Sequence, residues 1–399
     1  MLRVLMVSWE YPPHVVGGLG KHVMELLPAL ARRSDVQVHL LTPRWAGGDA
    51  IERQGNAVVH RVDPPTTNGD MFTAAWQTNL VLEQYIESLW QEEGPFDLVH
   101  AHDWLVAFVA NALKRIHKVP VIATIHATEK GRGRGHLGSE QSHAINHVEW
   151  WLVYEAWRVI ACSAFMAGEV RDYFACPADK IDVIPNGVDP APLQGDAAAG
   201  DNGFRAMYAL AEEQIVFHVG RLVHEKGAHV LVEAIPRVLA EAPSAKFVIA
   251  GRGPMLHQLR RRAWEIGVGE KVLFPGFITD VDRNRLFRLA SCAVFPSLYE
   301  PFGIVALEAM AARCPVVVSE VGGLKEVVEH DRTGITVYPD NPDSLAWGIL
   351  QTLTQPERAR QRAQLAQQIV LRSYSWDRIA ELTVNDYRRV VEERRRADW

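Results

Sequence analysis

The strongest constraint on this chain is a rhythm. Short runs rich in Val, Ile and Phe alternate with stretches of helical periodicity, and the whole pattern occurs twice. In the first half, strands are expected at 3–7, 36–41, 98–101, 121–125, 159–161 and 181–184, with helices in several intervals, for instance 19–33 and 142–156. Strands that are apolar throughout, separated by helices, belong to parallel sheets covered on both faces, because a parallel pair needs a long crossover. After Asp189 the segment A-P-L-Q-G-D-A-A-A-G-D-N-G is small, polar and without periodicity, and reads as a linker. The pattern then restarts, with strands expected at 215–219, 247–250, 272–274, 293–295, 316–318 and 335–337. The expectation is α/β, with two doubly wound, Rossmann-like domains at 1–195 and 196–373. A chain of 399 residues also exceeds what one hydrophobic core usually supports. A last amphipathic helix, in 374–399, offers Trp376, Ile379, Leu382, Tyr387 and Val390 for burial. Doubly wound sheets bind ligands outside the carboxyl ends of their strands, which places the expected active site in a deep cleft between the domains.

Composition narrows the partners. A net charge of −6 provides no basic field for nucleic acid or anionic lipid. The N-terminal M-L-R-V-L-M-V-S runs directly into W-E-Y-P-P and reads as a first strand rather than a secretion signal. The longest apolar segment elsewhere, 105–113, falls short of the roughly 20 residues a membrane span requires. A soluble, cytoplasmic protein without an integral membrane segment is expected. Cys162, Cys176, Cys292 and Cys314 lack C-x-x-C spacing and read as reduced, buried thiols.

Three stretches imitate functional motifs. G-R-G-H-L-G at 133–138 matches a dinucleotide fingerprint in letters, but the strand before it ends several residues too early, so a mobile basic loop is expected. H-A-H-D at 100–103 places alternate side chains on one strand face, yet no further ligand cluster accompanies it and no metal is expected. D-V-D at 280–282 opens a helical stretch, with Asp280 expected as its N-cap. No phosphate-binding P-loop accompanies these stretches, so kinase chemistry has no support.

Two loops hold more convincing chemistry. V-V-G-G-L-G-K-H-V, 15–23, follows the first strand and opens the first helix, where Gly17 and Gly18 let backbone N–H groups approach an anion. H-V-G-R-L-V-H-E-K-G, 218–227, places Arg221 and Lys226 at the carboxyl edge of a strand, an arrangement suited to a diphosphate. In S-L-Y-E-P-F-G-I-V-A-L-E-A-M, 297–310, Pro301 breaks the chain and Gly303 begins a helix. Glu300 precedes that helix, whereas Glu308 lies more than a turn inside it. The two carboxylates therefore do not form one acid and nucleophile pair. The N–H groups of Gly303, Ile304 and Val305 would favour phosphate.

Taken together, G-G-L-G, I-P-N-G-V-D at 184–189, G-R-L-V-H-E-K-G, P-G-F at 275–277 and E-P-F-G-I-V-A-L-E resemble the retaining glycosyltransferases of family 4, which have the GT-B fold. Y-P-P-H-V-V-G-G-L-G, H-D-W at 102–104 and T-I-H at 124–126 are similar to the glycogen and starch synthase branch. Bacterial glycogen synthases often carry lysine just before the double glycine, where this chain has Val15 and Val16. The resemblance implies a nucleotide-diphosphate sugar donor, ADP-glucose or UDP-glucose, and a carbohydrate acceptor such as an α-glucan, with neither cofactor nor metal. It implies that Arg221 and Lys226 bind the diphosphate, with Gly17, Gly18, Phe302, Gly303, Ile304 and Val305 around the donor. Glu300 would hold hydroxyls of the transferred sugar and Glu308 the ribose, while the base packs near Phe277 and Ile278. His126 and Asn186 would contact the donor sugar, and His102, Asp103 and Trp104 would lie near the acceptor. The final helix would cross back onto the first domain. A small or lipid-linked acceptor is the alternative within the class, for which Lys130, Arg132 and Arg134 offer a short basic cluster. A glycoside hydrolase is the alternative outside it.

Overall fold

A computed structural model describes residues 1–194 and 202–397. The expected boundary at 195/196, with most of the small polar stretch around it, lies outside these residues. The chain divides into two compact units, Met1–Gly187 with Trp376–Trp399, and Val188–Ser375.

The first unit is built on an eight-stranded sheet. Its strands in chain order are β1 Leu2–Val7, β2 Val36–Pro43, β3 Ile51–Gln54, β4 Ala57–Val62, β5 Leu98–His102, β6 Val121–Ile125, β7 Arg158–Ala161 and β8 Ile181–Val183. They lie in the order β3-β4-β2-β1-β5-β6-β7-β8. All neighbours pair in parallel except the β3–β4 hairpin. That hairpin extends the expected set of strands. β3, I-E-R-Q, is exposed along its whole length and so has no apolar signature to announce it.

The C-terminal helix Trp376–Arg396 packs on this unit, against the helix Gly18–Ala31. Trp376, Ile379, Tyr387 and Val390 are buried in one core with Val4, Met6, Leu26 and Leu98, and Leu382 packs on its margin. Gly187 lies flat against the indole, because a Cβ there would come within 2.7 Å of Trp376 Cδ2. Polar ties finish the contact: Glu393 accepts from Trp157 Nε1 and from Arg158, both at 2.8 Å, and Arg389 pairs with Asp182.

The second unit has six parallel strands, β9 Gln214–Val219, β10 Ala245–Ala250, β11 Val272–Gly276, β12 Cys292–Phe295, β13 Val316–Ser319 and β14 Ile335–Val337. Their order is β11-β10-β9-β12-β13-β14. The core joins Val216, Phe247, Ile249 and Val294 to the helices Ala228–Glu241 and Pro342–Leu353 through Leu231, Ile235, Leu345 and Ile349. This is the expected architecture of two parallel α/β sheets. Asp280 is corrected as an N-cap: Thr279 takes that position, its hydroxyl accepting from Asp282 N, and Asp280 begins the first turn. Cys162, Cys176, Cys292 and Cys314 are buried thiols.

Candidate functional site

Each sheet reverses its strand order once, between β1 and β5 in the first unit and between β9 and β12 in the second. At such a reversal the loops leaving two adjacent strands diverge and open a crevice. Most of the predicted residues lie at these loops, while His126, Asn186 and the pair Phe277 and Ile278 follow β6, β8 and β11.

In the second unit the loops 220–227 and 296–303 touch because Gly227 permits it. Its φ is +69°, and a Cβ would stand 1.8 Å from the Pro296 carbonyl oxygen. Leu298 N and Tyr299 N donate to the Glu225 carbonyl at 2.8 and 3.3 Å, closing the contact. With both backbones held, Lys226 Nζ donates to Glu300 Oε2 at 2.7 Å, and Ser297 Oγ donates to the same oxygen at 3.1 Å. Glu300 is buried and Lys226 largely so, which makes this a strong charge-assisted contact. Arg221 is half exposed and meets Glu225 at 3.3 Å, a weak surface pair that is easily exchanged for another anion.

The helix Ile304–Ala311 begins at Gly303, whose φ of +104° suits glycine, and has no capping side chain. Its first N–H groups therefore present the positive end of the helix dipole beside Glu300. Phe302 is buried, its ring 6.2 Å from Tyr374. Glu308 is buried further along and pairs with Arg283 at 3.1 Å. Glu300 and Glu308 thus face different cations. Phe277 is exposed, its ring under the Arg252 guanidinium at 5.2 Å, and Ile278 beside it is half-buried.

In the first unit the loop after β1 carries Glu10, a residue the motifs did not single out. Its Oε2 accepts from Val16 N at 2.7 Å and Gly17 N at 3.1 Å, and a Cβ on Gly20 would lie 2.4 Å from that oxygen. The Gly17 N–H expected to cradle an anion is therefore engaged by Glu10, while Gly18 opens the helix Gly18–Ala31. The sequence signal for this contact is the position of Glu10 seven residues before the Gly17–Gly18 turn.

The most unusual backbone lies just after β5. Asp103 has φ 60° and ψ 177°, a region essentially reserved for glycine. Its N–H donates to the Thr124 carbonyl at 3.0 Å, and its buried carboxylate accepts from His126 N at 2.7 Å. Burial pushes the Asp103 carboxyl up to about 7, opposed by the His126 N–H. Asp103 therefore holds the backbone of the loop that carries His126. Trp104 is buried, near-parallel to Phe72 at 6.1 Å.

Around this loop the unit gathers four buried imidazoles. His22 Nδ1 meets Asn186 Oδ1 at 2.6 Å, and His102 Nδ1 meets His126 Nε2 at 3.1 Å. His100 lies between Tyr387 OH and Thr124 Oγ1, each at 2.7 Å. Burial lowers His22 to about 4 and His100 to about 3, and holds His102 and His126 well below the usual range. All four are neutral at physiological pH, so they suit hydroxyl groups better than phosphates. The Nε2 atoms of His22 and His102 are buried without a protein hydrogen-bond partner. His22, His102 and His126 each offer a ring nitrogen, all within 4.8 Å of one another, and are the group among the described residues that could hold a soft divalent ion. His126 Nε2 is engaged by His102 Nδ1, so its use as a third ligand would break that bond.

The basic loop is partly anchored. Thr128 caps the short helix Glu129–Arg132 and donates to Glu169 at 2.8 Å, while Glu129 N donates to both oxygens of Glu149 at 2.9 and 3.0 Å. Lys130 Nζ sits 4.8 Å from the Tyr173 ring centroid, and Arg132 lies 3.4 Å from Glu129. Arg134 adopts φ +51°. Among the described residues, no helix is long and apolar enough to cross a membrane.

Comparison with known proteins agrees with this geometry. Residues 16–192 match the model of Glycosyltransferase Family 4, and residues 204–369 match that of Glycosyl transferases group 1. An uncharacterized glycosyltransferase of Methanocaldococcus jannaschii is 40% identical over 98% of this chain and 99% of its own. The glycogen synthase of Mycobacterium tuberculosis is 36% identical over 97% of this chain and 94% of its own. In fold, the chain is similar to a sucrose-phosphate synthase from Thermosynechococcus elongatus, with a TM-score of 0.81 at 24% identity, over 98% of this chain and 100% of the other. Two parallel α/β sheets, the motif loops at both reversals and full-length similarity lead to one conclusion: the chain is a glycosyltransferase of family 4, with the GT-B fold.

Proposed function

We propose that the protein transfers glucose, with retention of configuration, from ADP-glucose or UDP-glucose to an α-glucan or oligosaccharide. The observation that carries this reading is the Lys226–Glu300 contact of 2.7 Å beside the uncapped helix Ile304–Ala311. A cation, a hydroxyl acceptor and a helix N-terminus within one loop pair match the needs of a sugar diphosphate. Lys226 and Arg221 take the charge that develops on the leaving phosphate, aided by the N–H groups of Gly303, Ile304 and Val305. Glu300 accepts from hydroxyls of the transferred glucose, and Glu308 accepts from the ribose once Arg283 yields. The base rests near Phe277 and Ile278.

On the first unit, the neutral His126 and the amide of Asn186 bind sugar hydroxyls. Asp103 positions His126 rather than touching substrate, while His102 and Trp104 form the wall behind it. The leaving phosphate oxygen takes the proton of the incoming hydroxyl on the same face, so no enzyme nucleophile is required. Positioning and electrostatics then supply the acceleration, and the cations and helix dipole do the work of a metal. The separate partners of Glu300 and Glu308 argue against hydrolysis by a carboxylate pair. Similarity to glycogen synthase favours a glucan over a small or lipid-linked acceptor.

Incubation with ADP-glucose or UDP-glucose tests the reading. Release of nucleoside diphosphate that depends on maltooligosaccharide or glycogen, with a product longer by one glucose, is the expected result. Release with a lipid-linked or monosaccharide acceptor alone would replace the acceptor assignment, and glucan shortening without donor would overturn the transferase reading.

A further inference from the structure

The H-A-H-D stretch at 100–103 has no third ligand near it in the sequence, and the fold supplies one. His102 ends β5, His126 follows β6, and His22 lies one turn into the helix Gly18–Ala31 that follows β1. These three strands are neighbours in the sheet, so their carboxyl ends deliver three imidazoles to one place. Each ring offers a nitrogen within 4.8 Å of the other two, and all three residues are buried.

The hydrogen bonds decide which lone pairs are available. Asn186 Oδ1 can only accept, so the neutral His22 carries its proton on Nδ1 and a lone pair on Nε2. That Nε2 is buried without a protein hydrogen-bond partner, a cost that a ligand removes. The contact with Asn186 is also the kind that orients a metal-bound imidazole, whose second N–H almost always donates to an oxygen or water. His102 Nδ1 and His126 Nε2 stand 3.1 Å apart, on either side of a shared proton. Two nitrogens on a zinc ion with bonds of about 2.1 Å lie about 3.4 Å apart, so an ion takes the place of that proton with little movement. The proton passes to the other nitrogen of its own ring, which keeps both rings neutral and turns both facing lone pairs to the ion. The widest separation in the group, 4.8 Å, has to close by about 1.4 Å to reach the same edge length.

The ligand set also selects the ion. His100 stays outside it, because Tyr387 OH and Thr124 Oγ1 take both its nitrogens at 2.7 Å. Three imidazoles with no carboxylate among them suit zinc rather than magnesium or calcium, which require oxygen ligands. Asp103, next to His102 in the chain and hydrogen-bonded to His126 N, brings a carboxyl group to the same loop as counter-charge for a buried dication.

We propose that His22, His102 and His126 form a zinc site with its fourth position open to water, and that zinc bound there inhibits transfer by withdrawing His126 from the donor sugar. The inhibition rests on the sugar contact of His126 given above, whereas the site itself does not.

The test uses the full-length protein, stripped with a chelator. Zinc titrated against a chromophoric indicator should bind at one tight equivalent, and His22→Gln and His102→Gln should each weaken it by at least about ten-fold. Magnesium should not compete. Cobalt(II) in place of zinc should give the intense visible bands of a four-coordinate ion in the wild type and lose them in both variants. In the transfer assay with wild type, zinc should raise KM for the nucleotide-sugar without lowering kcat. Absence of zinc binding, a six-coordinate cobalt spectrum, or equal zinc affinity in wild type and variants overturns the site; the wild-type spectrum decides even where a variant does not fold. Zinc that binds the wild type and not the variants, yet leaves KM unchanged, keeps the site and overturns both the inhibition and the sugar contact of His126.

Discussion

Asp103 permits a direct test of how the first-unit site is held. Its φ of 60° and ψ of 177° place a non-glycine residue where side chains are rarely tolerated, at a cost of about 1–3 kcal/mol. Two bonds hold it there, from its N–H to Thr124 and from His126 N to its carboxylate. Asp103→Ala removes the carboxylate and keeps the strain, whereas Asp103→Gly removes both. Glycine also loosens the unfolded chain, which returns about 0.4–1 kcal/mol of the gain. The glycine variant should therefore be more stable than the alanine variant by about 1.5 kcal/mol, or about 4 °C in Tm for a unit of this size. Both leave the buried His126 N–H without its acceptor, so both should lose turnover alike, by about ten- to a hundred-fold. Differential scanning calorimetry and the transfer assay read the two effects separately. An alanine variant as stable as the glycine variant would refute the strain, and full activity in both would refute the positioning of His126.

Further expectations concern the same loops. Lys226→Ala and Glu300→Gln should each lower turnover by about a hundred- to a thousand-fold in the transfer assay, with native circular dichroism; wild-type rates in either would remove that residue from the reaction. Gly227→Ala forces a Cβ into the Pro296 carbonyl and should cost more than about 2 kcal/mol, measured by urea unfolding, together with activity, although Lys226 is untouched. Glu308→Ala should raise KM for the nucleotide-sugar about ten- to a hundred-fold with little change in kcat, and an unchanged KM would exclude a ribose contact. Asp103 also sets a pH dependence. Its folded value of about 7 lies above the unfolded value of about 3.9, so its contribution to stability is full below that lower value and is lost as pH rises through 7. Asp103→Asn removes this loss, and its Tm relative to wild type should rise between pH 5 and pH 8; a flat difference would contradict the raised carboxyl.

The parts of this molecule visible in its sequence are those in which local pattern and tertiary environment agree. Strands such as β9 and β10 are buried along most of their length, so apolar residues dominate them, with Gln214, His218 and Lys246 as the interruptions. β3 pairs at an open edge with its side chains in water, and nothing in I-E-R-Q distinguishes it from a loop. Loop glycines were informative for a similar reason: Gly227 marks a close approach of two backbones, and the residues beside it inherit a fixed position. Partnerships across long separations carry no such mark. The engagement of Glu308 by Arg283 depends on how two helices are placed, and the role of Asp103 depends on a backbone angle imposed by pairing between β5 and β6. The motif H-D-W places Asp103 near the acceptor by resemblance, and one oxygen of its carboxylate accepts the His126 N–H at 2.7 Å, a contact the motif does not reveal.

A charged residue on a buried helix face is a further mark in the sequence. In the helix Glu140–Glu155, Glu149 stands between Val148 and Leu152 on the buried face. An acid that interrupts an apolar stripe carries a desolvation cost, which burial expresses here by raising its carboxyl well above the usual range. Such a residue persists where a buried donor needs it, and the donor is the Glu129 N–H, three residues after His126. An acid that interrupts a buried apolar stripe therefore points to a backbone donor elsewhere in the fold that needs an acceptor, as Glu149 does for the Glu129 N–H.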